Sequence, residues 1–246
     1  MNSEPVLSLR CVTLDYKTRE SFFRHSRRRA LDDVSFDIQG GETLGVIGGN
    51  GSGKSTLLRV LAGIYSPNSG KVVSRCDNVM LLSLALGFDN ELSGRDNARL
   101  SGVLLGGRRS YVESKLDEII EFAELEEQID APLKTYSSGM RTRLGFSVAL
   151  MMQADLLLID EILGAGDEAF QQKARNAMLD RINSEQTVIY VSHSMGTVSR
   201  LCQRVVWLDH GRVRGLGEAD EVIEHYRQAQ RKRSKSLAAR RAALSA

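Results

Sequence analysis

The sequence predicts an α/β fold built on a parallel sheet, with a helical segment inserted in its middle. Two short apolar runs, "DLLLI" and "TVIYV", are typical of parallel strands buried on both faces, and a helical pattern follows each. A third stretch, "ETLGVIG", leads through a glycine-rich loop into another helical pattern. The 246 residues suffice for one such domain with a sizeable core.

The other stretches of the chain predict further strands, a basic loop and one helix. "VLSLRCVTLDY" alternates and is β-branched early on, which predicts a first strand. "KTRESFFRHSRRR" predicts a basic loop, and "VSFDI" predicts a strand that the turn "QGG" connects to "ETLGVIG". Helix is expected over Ser55 to Ala62. Further strands are expected at "GKVVSR", "VMLLSL" and "RVVWLD".

The middle of the chain, from about Gly94 to Leu150, predicts the helical insert. A second helix in it is expected from Ser138 to Met151, with Ser137 as a good N-cap. The first helix, "YVESKLDEIIEFAEL", places apolar residues at helical spacing with acids on the other face; these residues are Leu116, Ile119, Ile120 and Ala123.

Charge is nearly balanced, at a formal net +2, but its distribution is uneven. Arginines cluster at positions 24, 27, 28 and 29, and after Glu224 the chain has basic residues and no acid. Two interpretations remain open for these runs. One is a solvated loop and a loose tail; the other is contact with an anionic surface, either nucleic acid or lipid headgroups.

The cysteines and the apolar runs bound the location. Cys11, Cys76 and Cys202 fit neither a metal-site spacing nor a disulfide framework, so we expect reduced thiols in a cytosolic protein. The N-terminus lacks the regions of a signal peptide. The longest apolar run, "VMLLSLALGF", is about half of what a membrane helix needs. Any work at a membrane would need another chain to span it.

The stretch "GVIGGNGSGKSTLLRVLAG" fits the pattern G-x-x-x-x-G-K-[ST]. Its glycines allow several N–H groups to point into one concavity, and the helix that follows adds its positive end. The ligand expected is a nucleoside triphosphate; the alternative is a glycine-rich turn with an unrelated lysine. The residues expected to bind it are Gly48, Asn50, Gly51, Ser52, Gly53, Lys54, Ser55 and Thr56, with Ser55 also a Mg²⁺ ligand.

The stretch "LLLIDE" predicts a metal and water site. A buried strand that ends in Asp160 delivers a carboxylate to the edge of the sheet where α/β proteins bind ligands. Asp160 is expected to hold Mg²⁺ through water, and Glu161 to polarise the attacking water as general base. The alternative is an acidic pair that caps the next helix.

At "YSSGM", Tyr136 to Met140, the sequence resembles the signature motif of ATP-binding cassette (ABC) ATPases, whose usual form is L-S-G-G-Q. The stretches "RTRLGFSVAL", "LGFDNELSGRDN" and "DEILGAGDEAFQ" resemble the subfamily that exports bacterial polysaccharides such as O-antigen, capsule and teichoic acid. The resemblance covers about Leu7 to Tyr226. It implies a P-loop NTPase core with an antiparallel β subdomain and a helical subdomain.

The resemblance implies a role for each matching residue. Ser137 and Gly139 would contact the γ-phosphate held by a partner subunit, so that a head-to-tail homodimer completes two sites. His193, in "VSHS", would contact the γ-phosphate and the attacking water; alone it could be a satisfied core histidine. Asp167 would belong to the loop that crosses the dimer interface. Tyr16, taken to end the first strand, would stack on adenine, although it could be core.

The sequence departs from the family it resembles at one position. ABC ATPases usually have a glutamine there that senses Mg²⁺ and contacts the transporter. No glutamine lies between Gln39 and Gln128, and the matching position is Ser83, too short to reach as far. The ATPase domain is expected over 1–226, with the helical subdomain at about 88–152 and a basic tail at 227–246.

The implied function is the ATP-hydrolysing subunit of an exporter. It would use ATP and Mg²⁺ at the cytoplasmic face of a bacterial inner membrane, paired with transmembrane permease subunits that move a lipid-linked polysaccharide, and with no nucleic acid. A soluble ABC ATPase acting on nucleic acid or ribosomes is the alternative. A scaffold without turnover is disfavoured because Glu161 and His193 are intact.

Overall fold

The computed structural model describes residues 4–21, 24–160 and 167–244, with side chains described for 4–16, 27–160 and 167–233. The chain divides into two compact units. Unit 1 consists of Met1–Arg75 and Ile189–Ala246, and unit 2 consists of Cys76–Val188.

Unit 1 contains a three-stranded antiparallel sheet. Strand β1 (Leu7–Ser21) lies in its centre, between β2 (Arg24–Ile38) and β4 (Ser69–Ser74). Four apolar side chains of β1 are buried, and they anchor the sheet in the core of the unit; they are Leu7, Leu9, Val12 and Leu14.

The basic loop predicted after the first strand is wrong. The structure continues β1 to Ser21 and pairs it with β2, which begins at Arg24. The described strands of this hairpin pair residue by residue, from Asp15 with Arg29 to Arg19 with His25. The backbone ladder supplies the hydrogen bonds, so this part of the hairpin does not need the apolar alternation that predicts a buried strand. Tyr16 therefore lies within β1 and does not end it.

Unit 1 also carries the elements around the glycine-rich loop. Strand β3 (Thr43–Ile47) lies within the predicted strand "ETLGVIG"; it is fully buried and runs parallel to β8 (Arg204–Asp209). Helix α1 (Lys54–Leu61) begins one residue before the predicted start. Strand β9 (Arg212–Glu218), which the sequence did not predict, pairs antiparallel with β8.

The C-terminal part of unit 1 is helical. Helix α7 (Met195–Leu201) precedes β8, and helix α8 (Ala219–Leu244) follows β9. Val222 and Ile223 of α8 are buried. The loose conformation considered for the basic tail is therefore wrong as far as Leu244, because the tail continues this helix. None of the described helices is long and apolar enough to cross a membrane.

Unit 2 combines two parallel strands with helices. Strand β5 (Val79–Leu81) pairs with β6 (Leu156–Asp160), of which the first four residues are buried. The strand predicted at "VMLLSL" thus ends after Leu81. Strand β7 (Thr187–Val191), also buried, lies at the division between the units.

The helices of unit 2 confirm the predicted helical character of the middle segment. They are α2 (Gly94–Leu104), α3 (Arg109–Ser114), α4 (Leu116–Ala123), a 3-10 turn at Leu133–Thr135, α5 (Ser138–Met151) and α6 (Glu168–Ile182). Helix α5 has the predicted bounds. The single helix predicted at "YVESKLDEIIEFAEL" is divided at Lys115, although its four apolar residues are buried on α4, as predicted.

Candidate nucleotide-binding site

The predicted phosphate loop joins β3 to α1, and glycines give it its shape. The backbone φ is +153° at Gly48, +73° at Gly51 and +110° at Gly53, a region that side chains rarely allow. A methyl group at Gly48 would lie 2.2 Å from the carbonyl oxygen of Leu208, and one at Gly53 would lie 2.6 Å from that of Ala30. Glycine is therefore needed at both positions.

Lys54, the first residue of α1, places its ammonium group inside the loop. Its side chain is buried, and Nζ donates hydrogen bonds to the carbonyl oxygens of Gly48 at 2.9 Å and Gly49 at 3.2 Å. The Ser52 hydroxyl is also buried, and no described residue gives it a hydrogen-bond partner. A buried ammonium beside an unused polar group fits an anionic ligand.

Neighbouring elements hold the loop in place and leave one side of it open. The amide of Gly211, in the turn between β8 and β9, donates to the Ser52 carbonyl oxygen at 2.8 Å. Asn50, Gly51 and Ser55 are exposed, whereas Thr56 is buried. The exposed residues are thus available to a ligand, while the buried ones fix the conformation.

Tyr16 lies beside the start of α1. Its hydroxyl is 3.1 Å from the Thr56 hydroxyl, and its ring meets that of Tyr65 edge-on, with centroids 5.8 Å apart. The side chain is half-buried. The structure therefore brings Tyr16 to the phosphate loop. The prediction that Tyr16 ends the first strand is nevertheless wrong.

His193 follows β7 within unit 1. It lies in the short link between β7 and α7, and its side chain is exposed. The exposed imidazole does not have the buried surroundings expected of a core histidine, which was the alternative from sequence.

The predicted metal and water residues follow β6 in unit 2. Asp160 is the last residue of this strand and is half-buried after four buried apolar residues. Its position at the carboxyl end of a parallel strand is the one predicted from "LLLIDE". Glu161 lies outside the described residues.

The signature stretch begins helix α5 in unit 2. The Ser137 hydroxyl accepts a hydrogen bond from the Met140 amide at 3.1 Å, so Ser137 is the N-cap, as predicted. Ser137 is exposed, and a methyl group at Gly139 would meet only the Ser137 hydroxyl, at 3.8 Å. Tyr136, which departs from the usual leucine, is buried, and its hydroxyl donates to the carbonyl oxygen of Gln128 at 2.7 Å.

Asp167 occupies the same position on the next helix. Its carboxylate caps α6 by accepting a hydrogen bond from the Phe170 amide at 2.9 Å. That bond lowers the pKa of Asp167 from its ordinary value, and the positive charge of Arg143 on α5 lowers it further. The rings of Phe146 on α5 and Phe170 on α6 meet edge-on at 5.9 Å, so the two helices pack together.

Within unit 1 the structure thus brings Tyr16 to the phosphate loop, and within unit 2 it places Ser137 and Asp167 at the starts of two packed helices. Ser83 lies two residues after β5 and is half-buried. Sequence reasoning did not assign Arg28 to the site, yet its guanidinium lies beside the loop. The periodicity of a strand could have placed it there, had the hairpin been recognised.

The strand, the glycine loop, its buried lysine and the helix that follows define a P-loop nucleotide-binding protein. Comparison with known families identifies which one. The sequence pattern of the ABC transporter family matches residues 31–164. The chain therefore belongs to the ABC transporter family, and the predicted fold and the predicted class of ATPase are confirmed.

Curated relatives carry names from polysaccharide export. The chain is 46% identical over 200 residues to the O-antigen export system ATP-binding protein RfbB of Myxococcus xanthus, covering 81% of this chain and 46% of that protein. It is 44% identical to RfbB of Klebsiella pneumoniae, covering 81% of each chain. It is 43% identical to the teichoic acids export ATP-binding protein TagH of Enterococcus faecalis, covering 80% of this chain and 44% of that protein.

Solved structures agree on the fold. The dimeric cassette MJ0796 bound to ADP and Pi superimposes with a TM-score of 0.68 at 23% identity, over 87% of this chain and 98% of that one. An ATP-binding subunit of an ABC transporter gives a TM-score of 0.70 at 22% identity, over 90% of this chain and 93% of that one.

Proposed function

We propose that this chain is the ATP-hydrolysing subunit of an ABC transporter that exports a lipid-linked polysaccharide of the O-antigen kind. The observation that carries the proposal is the phosphate loop with its buried Lys54, in a chain 43–46% identical to proteins named for O-antigen and teichoic acid export. The site supplies nucleotide chemistry, and the relatives supply the substrate class.

In this proposal the residues of unit 1 hold the nucleotide. Lys54 and the loop amides bind the phosphates, and Tyr16 packs against the adenine. Lys54 already lies within the loop, bonded to two of its carbonyl oxygens. Its ammonium can exchange these for stronger charge-assisted bonds to phosphate. His193, exposed after β7, contacts the terminal phosphate and the attacking water.

Metal and water chemistry involves three further residues. Ser55, through its hydroxyl, and Asp160, through its carboxylate, would each be a Mg²⁺ ligand, since both offer the oxygen that this ion prefers. When bound, the ion supplies charge stabilisation at the transferring phosphate. Glu161 takes a proton from the attacking water as general base.

Ser137, Gly139 and Asp167 serve a second copy of the chain. Ser137 is exposed and Gly139 is half-buried at the start of α5, where helix N–H groups favour an anion. We infer that they meet the nucleotide held by the partner copy, and that a head-to-tail homodimer therefore completes two sites. Closing and reopening of this dimer would drive transmembrane permease subunits, with the ATPase at the cytoplasmic face of the membrane.

Reconstitution with the permease tests the proposal. The chain should co-purify with the membrane protein encoded beside it, and a lipid-linked glycan should stimulate ATP hydrolysis by the complex in vesicles. DNA, RNA and ribosomes should not stimulate the isolated chain. Stimulation by nucleic acid, with none by the glycan, would reject export in favour of the soluble alternative. Lys54→Ala in the same complex is the control, and it should lose both basal and stimulated hydrolysis.

A further inference from the structure

Arg28, on strand β2, lies against the outer side of the phosphate loop. A methyl group at Gly51 would be only 3.2 Å from Nη2 of Arg28, and no other described atom would be within 4 Å of it. Gly51 is one of the exposed residues of the loop. A guanidinium group therefore borders the open side of the loop, within unit 1.

The register of the hairpin explains this position. Arg28 is the direct cross-strand partner of Tyr16, so the two side chains share one face of the sheet. The Tyr16 hydroxyl reaches Thr56, at 3.1 Å, on the first turn of α1. The same face of the hairpin thus presents an aromatic ring to the start of the helix and a cation to the loop.

The neighbouring arginines differ from Arg28 in what they contact. Arg29 is held by two carboxylates: its Nε is 3.0 Å from Asp15, and its Nη1 is 3.0 Å from Asp32. Among the described residues, Arg28 has no ion pair and no side-chain hydrogen bond, and it is exposed. Its planar guanidinium, always charged, matches phosphate geometry. The protein therefore keeps a second cation, besides Lys54, at its phosphate loop.

We propose that Arg28 is a nucleotide-binding residue whose guanidinium contacts the polyphosphate of ATP on the loop. The inference rests on the proposed nucleotide site and adds to it a residue from outside the P-loop pattern. It also divides the basic cluster by role. Arg28 binds the nucleotide, whereas Arg29 forms ion pairs with the carboxylates of Asp15 and Asp32 within the hairpin. Arg27 lies on the opposite face of β2.

Arg27 provides the matched control, because it is exposed, adjacent and carries the same charge. Calorimetry on the full chain would compare Arg28→Ala, Arg28→Lys and Arg27→Ala, each titrated with ATP and with adenosine. We expect Arg28→Ala to weaken ATP binding about tenfold, as loss of a charge-assisted bond does. Arg28→Lys should lose less, Arg27→Ala should match the parent, and adenosine binding should be equal in all four proteins.

The salt dependence gives a second readout that a merely structural role would not change. ATP affinity of the parent should fall more steeply with added salt than that of Arg28→Ala, because one screened charge contact is missing in the variant. Equal ATP affinities for parent and Arg28→Ala would overturn the inference. So would equal losses in Arg27→Ala and Arg28→Ala, or a matching loss of adenosine binding.

Failure of the inference is distinguishable from failure of the proposed function. If the parent does not bind ATP, the nucleotide site itself is wrong, and the role of Arg28 is overturned with it. If the parent binds ATP, Lys54→Ala weakens that binding strongly and Arg28→Ala leaves it unchanged, the site stands and only the assignment of Arg28 is rejected.

Discussion

Gly48 in the phosphate loop and Gly139 in the signature stretch differ in the space that surrounds them. A methyl group at Gly48 would clash with the Leu208 carbonyl oxygen at 2.2 Å, whereas one at Gly139 would meet only the Ser137 hydroxyl at 3.8 Å. The chain's own fold therefore requires Gly48. Nothing described in the chain requires glycine at position 139.

The same difference separates the two regions as a whole. The phosphate loop contains the buried residues Ser52 and Lys54 and is held by the turn that follows β8, so one chain suffices to shape it. The start of α5 is exposed and is capped by its own Ser137. We infer that the first region binds nucleotide within one copy and that the second contributes only when two copies meet.

The variant expected to lose the most ATP turnover leaves both the phosphate loop and the start of α5 intact. Glu161→Gln removes the proposed general base, so ATP turnover should fall more than a hundredfold while ATP affinity is retained. Size-exclusion chromatography with ATP and Mg²⁺ should then show a stable dimer. Glu168→Gln, which makes the same change in the exposed first turn of α6, should behave as the parent. Parent-like turnover in Glu161→Gln would remove that residue from the mechanism.

Lys54→Ala should damage the phosphate-loop region alone. Loss of a cation that faces phosphate in a partly dry site should weaken ATP binding by about 10- to 100-fold. Calorimetry measures this, with Lys71→Ala on the exposed strand β4 as the control. Unchanged ATP affinity in Lys54→Ala would contradict the assignment of the loop.

Replacing each of the two glycines by alanine tests the difference between the phosphate loop and the signature stretch. Gly48→Ala should lower the free energy of unfolding by roughly 1–3 kcal/mol, since the backbone angle and the Leu208 carbonyl oxygen both oppose a side chain. Gly139→Ala, within the first turn of α5, should leave stability unchanged or raise it by up to about 1 kcal/mol. It should nevertheless lower turnover. Thermal unfolding and ATPase assays decide this, and equal destabilisation by both changes would erase the contrast.

Sequence reasoning located α5 well because its signals are local. Ser137 and the residues after it specify a cap and a helix start, and the structure has both where predicted. The phosphate loop could likewise be predicted because consecutive residues of the sequence specify it. In contrast, the segment from Lys17 to Arg29 has no apolar alternation, so its strands could not be recognised. The position of Arg28 depends on pairing with Tyr16, and no local pattern encodes that register.

Two residues of unit 2, Tyr136 and Arg143, show a second limit of sequence-based prediction. In the sequence, Tyr136 is only a departure from the usual leucine of the signature motif. In the structure its ring is buried and its hydroxyl bonds to Gln128, and these contacts hold the residues that lead into α5. Arg143, five residues beyond Ser138, lowers the pKa of Asp167 across two helices. Such relations depend on how the helices pack, and spacing along the chain does not reveal them.

The smallest effect concerns the cap itself. Ser137→Ala removes the hydroxyl that accepts from the Met140 amide, and it should cost about 1 kcal/mol of stability. Ser138→Ala, one residue on, should cost less, because it lies within the helix, where alanine is favoured. Chemical denaturation of both variants provides the measurement. A larger loss from Ser138→Ala than from Ser137→Ala would contradict the assignment of the cap.

A homodimer in which each site joins the loop of one copy to the signature of the other can be tested by mixing two inactive variants. Lys54→Ala spoils the loop, and Ser137→Arg adds bulk and charge at the signature. A mixed dimer would contain one site in which both parts are intact. Each variant alone should hydrolyse almost no ATP, and their mixture should regain activity if the mixed dimer contains one intact site. A mixture as inactive as its components, while both variants remain folded, would contradict this arrangement.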